Sequence, residues 1–106
     1  MEIIATGELR EYFKSHLPEF DDPVIYISSE FIPGCPKCNS STAVYYIKLK
    51  ERADLAINSN TVKAKNHRFP VDIYVKYTIL KGKPKQIVIG SKRSGGKLQM
   101  VLRRII

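Results

Sequence analysis

At 106 residues, with 43% apolar and 26% charged side chains, the chain has the composition of one globular domain, long enough for a single modest core and too short for two. That composition excludes wholesale disorder, and the longest apolar run, Ala43 to Ile47, is far too short to cross a bilayer. Eighteen Lys and Arg against ten Asp and Glu leave a formal charge of +8, and sixteen of those bases but only three of the acids lie in residues 31–106.

A positive field over the second part of the chain attracts polyanions without any specific site, so nucleic acid or an acidic protein is a partner class to test against a merely solubilising surface. The N-terminus, Met1-Glu2-Ile3-Ile4, lacks the basic-then-apolar order of a secretory signal, and the expected location is cytoplasmic, with no membrane partner. The sequence does not specify an oligomeric state. Two cysteines in such a chain are reduced, reactive or metal-bound rather than a disulfide scaffold.

Glu2–Ala5 reads as a short strand. Thr6 then offers a capping oxygen to an amphipathic helix in which Leu9, Tyr12, Phe13, His16 and Leu17 share a buried face and Pro18 closes the segment. Val24-Ile25-Tyr26-Ile27 is a β-branched and aromatic run suited to a strand covered on both faces. The stretch FIPGCPKCNS follows and holds both cysteines. Asn39-Ser40-Ser41-Thr42 can cap a helix through Ala43, Val44, Ile47, Leu49 and Arg52; the same residues also alternate tolerably as a strand, and the helix is the expectation. Asp54–Asn58 reads as a short strand and Asn60 to Arg68 as a polar connection.

Beyond Phe69-Pro70, the residues Val71, Ile73, Val75, Tyr77 and Ile79 alternate with Asp72, Tyr74, Lys76 and Thr78 as one long strand. Lys81-Gly82-Lys83-Pro84 is the turn of a hairpin that returns along Gln86–Ile89. Gly90 to Gly96 reads as a flexible basic connection. Leu98, Met100, Val101, Leu102, Ile105 and Ile106 form the apolar side of a closing helix, with Arg103 and Arg104 at the negative end of its dipole.

A Cys-x-x-Cys between a buried strand and a helix N-terminus has a chemical rationale. The free N–H groups and partial positive charge of the helix start favour thiolate over thiol at the first sulfur, and thiolate is the nucleophile of disulfide exchange. Cys35 would attack and Cys38 would resolve, with Pro36 fixing the first turn and Lys37 adding positive potential. Zinc competes, because thiolates two residues apart make half of a site that His16 and His67 would have to complete; inert structural cysteines are the third reading.

The order of these pieces resembles the thioredoxin-like superfamily over nearly the whole chain: Pro23–Ile27 before Cys35-Pro36-Lys37-Cys38, then Phe69-Pro70 opening a long strand, then the Lys81–Pro84 turn and Gly95-Gly96-Lys97-Leu98 before the last helix. The Pro36-Lys37 dipeptide is of the glutaredoxin type, whereas the tryptophan and buried acid of thioredoxins have no counterpart. The resemblance implies an α/β fold, a three-layer arrangement of one mixed sheet with flanking helices and a C-terminal β-hairpin and helix. It implies a thiol-disulfide oxidoreductase acting on protein thiols or disulfides without a cofactor. It also implies a cis bond at Pro70 that exposes the Phe69 backbone to bind an extended substrate. The alternative is a basic nucleic-acid-binding module, in which Lys63–Arg68, Lys81–Lys85 and Ser91–Lys97 follow phosphates and Tyr45, Tyr46, Tyr74 and Tyr77 stack on bases.

Overall fold

The computed structural model describes residues 1–33, 41–55, 60–65 and 68–106, with the backbone alone described at 31–33 and 41–43. Its strands form two mixed sheets. One has the order β1 (Glu2–Ala5), β6 (Gln86–Ser94), β7 (Lys97–Ile105); the other has the order β3 (Ser41–Glu51), β2 (Pro23–Pro33), β5 (Ile73–Lys76), β4 (Thr61–Lys63). Helix α1 (Leu9–His16) and the single turn α2 (Tyr77–Leu80) complete the α/β domain. Among the described residues, no helix is long and apolar enough to cross a membrane.

The first third matches the pattern of its sequence. In α1, Leu9 and Phe13 are buried, as their spacing requires. Thr6 does not cap this helix. Gly7, at φ 71°, turns the chain before it, the Glu8 N–H donates to Ser91 Oγ at 2.7 Å, and the Thr6 hydroxyl is hydrogen-bonded to Ile89 O. A cross-sheet contact has replaced the local cap.

Three expectations are corrected. Residues 41–51 are a strand, not a helix, because β3 pairs antiparallel with β2 over eleven positions, from Pro23 opposite Glu51 to Pro33 opposite Ser41. That ladder pairs alternate backbone groups of this edge strand with β2 and packs the partly buried Ile47 and Leu49 against the core. The closing segment is strand β7, not a helix. It pairs with β6 and carries a bulge, since Val88 faces Arg104 while Ile89 faces Leu102 and Arg103 is left between. The single sheet and its C-terminal hairpin-plus-helix are accordingly replaced by two sheets.

The long strand 71–79 is limited to β5, after which the chain turns helical at Tyr77. The Lys81–Pro84 turn exists, with Lys83 at φ 49°, but it leads from α2 into β6, whose partners are β1 in parallel and β7. Gly90 to Gly96 is no flexible connection. It is the end of β6 and the tight turn at Gly95 (φ 58°) and Gly96 (φ 78°), a conformation natural to glycine. Asp54 belongs to a 3-10 turn, Arg52–Asp54, and Leu55 is buried beyond it; residues 56–59 lie outside the described residues.

One core joins both sheets. Ile25, Ile27, Ile73 and Val75 from the four-stranded sheet meet Ile3, Ile87, Ile89 and Met100 from the other, with Leu9 and Phe13 of α1 and Ile79 of α2. Full burial of each such aliphatic side chain contributes roughly 1.5–3 kcal/mol, so this inner layer dominates stability. On the opposite face of the four-stranded sheet Val24 is also fully buried, whereas Tyr46 and Lys48 are exposed.

Candidate functional site

Cys35, Pro36, Lys37 and Cys38 lie outside the described residues, as does His67. Their flanks are described: Pro33 and Ser41 are register partners at the end of the β2–β3 ladder. The segment after the cysteines is therefore a strand. The helix N-terminus that was to lower the thiol pKa of Cys35 is absent at Ser41–Glu51, and that argument for an activated nucleophile falls. His16 is engaged locally, its ring stacked on Tyr12 at 4.2 Å and its Nδ1 2.9 Å from Tyr12 O.

Phe69 is half-buried and meets Phe13 edge to face at 6.0 Å, whereas Pro70 is exposed. Among the described residues there is no cis peptide bond, so the Phe69–Pro70 bond is trans. The cis-proline implied by the family resemblance is corrected: β5 begins only at Ile73, and Pro70 stands in the bend before it, where a trans proline meets no ladder.

The basic stretches fare unequally. Arg93 is tied to Glu8 and Glu11 of α1, with contacts of 3.0 and 3.3 Å, and Lys63 reaches Asp72 at 3.5 Å. These cations are engaged in surface ion pairs within the domain.

A different constellation emerges from the ladder registers. Opposed residues in a sheet share a face. Tyr26 opposes Lys48 on one side and Tyr74 on the other, Ser28 opposes Tyr46, Val24 opposes Lys50, and Lys76 opposes Thr61. The inner residues Ile25, Ile27, Ile73 and Val75 point to the core, so the alternate set forms the outer face. Tyr26, Tyr46 and Tyr74 are thereby gathered with Lys48, Lys50 and Lys76 on one outer face, where Tyr46 and Lys48 are exposed and the other four half-buried.

The contacts across this face agree with the registers. The Lys50 ammonium lies over the Tyr26 ring at 4.9 Å, the Tyr46 hydroxyl donates to Glu30 Oε2 at 3.3 Å, and Lys76 Nζ donates to Ser29 O at 3.0 Å. Tyr46 is 39% exposed, enough to present ring surface, and Lys48 stands in solvent. Burial at the sheet and the Glu30 carboxylate both raise the Tyr46 phenol above its ordinary pKa, so it remains a neutral ring and donor. Among the described residues, Lys48, Lys50 and Lys76 have no ion-pair partner.

One end of the face is closed by a network around Arg52. Its guanidinium donates to Asp22 Oδ2 at 2.9 Å, to Asp72 Oδ2 at 2.8 Å and to the Tyr74 hydroxyl at 2.8 Å. The bonds to Asp22 and Asp72 raise the Arg52 pKa, and the bond from Arg52 holds the Asp72 carboxyl below its usual range against the opposing effect of burial. Lys63 adds to the same effect on Asp72. Arg52 thus ties the end of β3 to the starts of the central strands β2 and β5 and fixes the Tyr74 ring, leaving Tyr46 and Lys48 exposed beside the half-buried Tyr26, Lys50 and Lys76.

Sequence patterning named Tyr46 and Tyr74 as stacking candidates and did not place them on one surface with Tyr26, Lys48 and Lys50. The signal was the alternation Tyr46-Ile47-Lys48-Leu49-Lys50, which the helix expectation set aside. Compared with protein-family models, with curated proteins and with solved structures, the chain gave no match.

Proposed function

We propose that this domain binds single-stranded nucleic acid on the outer face of its four-stranded sheet. The observation that supports it is the gathering of Tyr26 and Tyr46 on one face with Lys48, Lys50 and Lys76, which have no ion-pair partner among the described residues. Aromatic rings on a sheet stack unpaired bases, and flanking ammonium groups neutralise the phosphates between them. Lys50 serves both states: over Tyr26 in the free protein, it yields the ring to a base and turns to a phosphate. The net charge of +8 draws the strand in before any contact forms.

A duplex keeps its bases stacked on each other and offers this face only phosphates, so single strands are the better ligand. Three released counterions give a slope of log affinity against log salt of about −2 for a single strand, at about 0.7 per phosphate contact. Fluorescence anisotropy with a labelled 20-mer of deoxythymidine or uridine, and with a duplex of equal length, reads both quantities. Equal or tighter binding of the duplex, or no binding at low salt, would refute this reading.

Thiol-disulfide exchange on protein partners, the activity of a thioredoxin-like domain, is the second reading, with Cys35 as nucleophile and Cys38 resolving. It is supported by the Cys-x-x-Cys spacing of the sequence. It requires one thiol to titrate well below about 8.5. Alkylation rates against pH for Cys35→Ser and Cys38→Ser decide it, and two unperturbed thiols would end it.

A further inference from the structure

A second surface lies on the other sheet, away from the tyrosine face. Strand β1 has β6 on one side and, among the described residues, no strand on the other. Glu2 N donates to Lys85 O at 3.0 Å and Thr6 N to Ile89 O at 2.8 Å. In a parallel ladder the backbone of alternate residues faces the partner, so Glu2, Ile4 and Thr6 face β6 while Ile3 and Ala5 present their N–H and C=O groups outward.

Those outward groups open into a groove of 1420 Å³ between β1, α1 and the bend at 68–70. Its walls carry Ile3, Leu9, Phe13, Leu17 and Phe69, and Arg10, Lys14 and Arg68 also line it. Among the described residues, none of these three cations has an ion-pair partner, and Glu2 is the one acid lining the groove. The acids that would offset them, Glu8 just before α1 and Glu11 within it, are drawn to Arg93 instead.

We infer that an extended segment of a partner protein, whose groove-facing alternate residues are in turn apolar and acidic, adds as a strand to the free edge of β1. Its backbone pairs with Ile3 and Ala5, its apolar side chains enter the groove between β1 and α1, and its carboxylates meet Arg10, Lys14 and Arg68. Strand addition of this kind takes its affinity from main-chain hydrogen bonds and its selectivity from the pockets and charges beside the edge. A second copy of this chain fits less well, because its own β1 brings one acid, Glu2, on a molecule of charge +8.

The probe is a capped, fluorescently labelled heptapeptide with Val, Glu, Val and Glu at its odd positions, which share one face, and Thr between them, titrated against the full chain by anisotropy. Saturable binding is expected, weakened about fivefold by Arg10→Gln with Lys14→Gln, the loss for two exposed ion pairs. N-methylation of one alternate set of its amides should abolish binding, while methylation of the other set should leave it. The corresponding valine-lysine peptide should not bind. The inference is overturned if no saturable binding occurs up to millimolar peptide, if the lysine peptide binds equally, or if both N-methylated forms bind like the parent. A dimer in sedimentation that the peptide does not dissociate would also overturn it, since the edge would then belong to a second copy.

Discussion

Alanine at Gly90 tests the closest approach in the three-stranded sheet. Gly90 is buried in β6 opposite Val101, next to the bulge that isolates Arg103. A Cβ there would lie 2.8 Å from Arg103 Cγ and Nε and 2.8 Å from Thr6 Oγ1. Arg103 Cγ and Thr6 Oγ1 sit one bond beyond Cβ and move only by χ1 rotation, and each side chain is held by a hydrogen bond: Arg103 Nη2 to Ser91 O and the Thr6 hydroxyl to Ile89 O. Losing two bonds of about 0.5–1 kcal/mol each outweighs the roughly 0.4–1 kcal/mol that alanine returns by restricting the unfolded chain. The net loss is about 1 kcal/mol, a fall in Tm of about 4–8 °C for a domain of this size. In an Arg103→Ala background one of the two obstructions and its bond are already gone, so the same alanine should cost close to nothing. Urea and thermal unfolding of the four proteins give the coupling. An equal cost in both backgrounds, to within about 0.3–0.5 kcal/mol, or a gain in the native background, refutes the reasoning.

Three other outcomes follow from the same structure. Ile27→Ala, at a fully buried position between the sheets, should lower the unfolding free energy by about 2–5 kcal/mol in urea, and a loss below about 1 would contradict its place in the core. Tyr46→Ala should weaken single-strand binding by about 1–3 kcal/mol while Tyr45→Ala, exposed on the other face of β3, leaves it unchanged, as anisotropy will show. Because Arg52 holds the folded-state pKa of Asp72 below its unfolded value, the stabilisation from that pair is fully present above the ordinary carboxylate range and is lost as pH falls through the lowered value. Urea midpoints compared at neutral and acid pH should therefore drop less for Asp72→Asn than for the native chain.

How far the sequence could be read depended on whether local pattern and tertiary partner agreed. They agree in β1 and α1, where spacing and burial coincide at Ile3, Leu9 and Phe13, whereas β2 is the expected strand but packs Ile25 and Ile27 on the core and leaves Tyr26 and Ser28 half-buried on its other face. They part at residues 41–51, where Val44, Ile47 and Leu49 suit either period and only the pairing with β2 decides. The closing segment misled for a definite reason. Leu98, Met100 and Leu102 keep a strand period, but the bulge at Arg103 shifts the phase so that the next inward residue is Ile105, and the combined spacing imitates a helix. Tyr77 continued an alternation that the chain abandons for a helical turn. The tyrosine-lysine face needed the registers of β2, β3 and β5 together, which no single segment encodes. Polar Asn60–Arg68 gave no hint of β4, whose pairing with β5 is also a tertiary fact.

The proposed surface can be mapped directly by recording amide chemical-shift changes in solution as a short oligodeoxythymidine is added. The largest changes are predicted at Tyr26, Tyr46, Lys48, Lys50 and Lys76, with Ser91–Lys97 and the β1 groove unaffected. Changes confined to Ser91–Lys97 or Lys81–Lys85, with the outer face of the four-stranded sheet silent, would contradict the account.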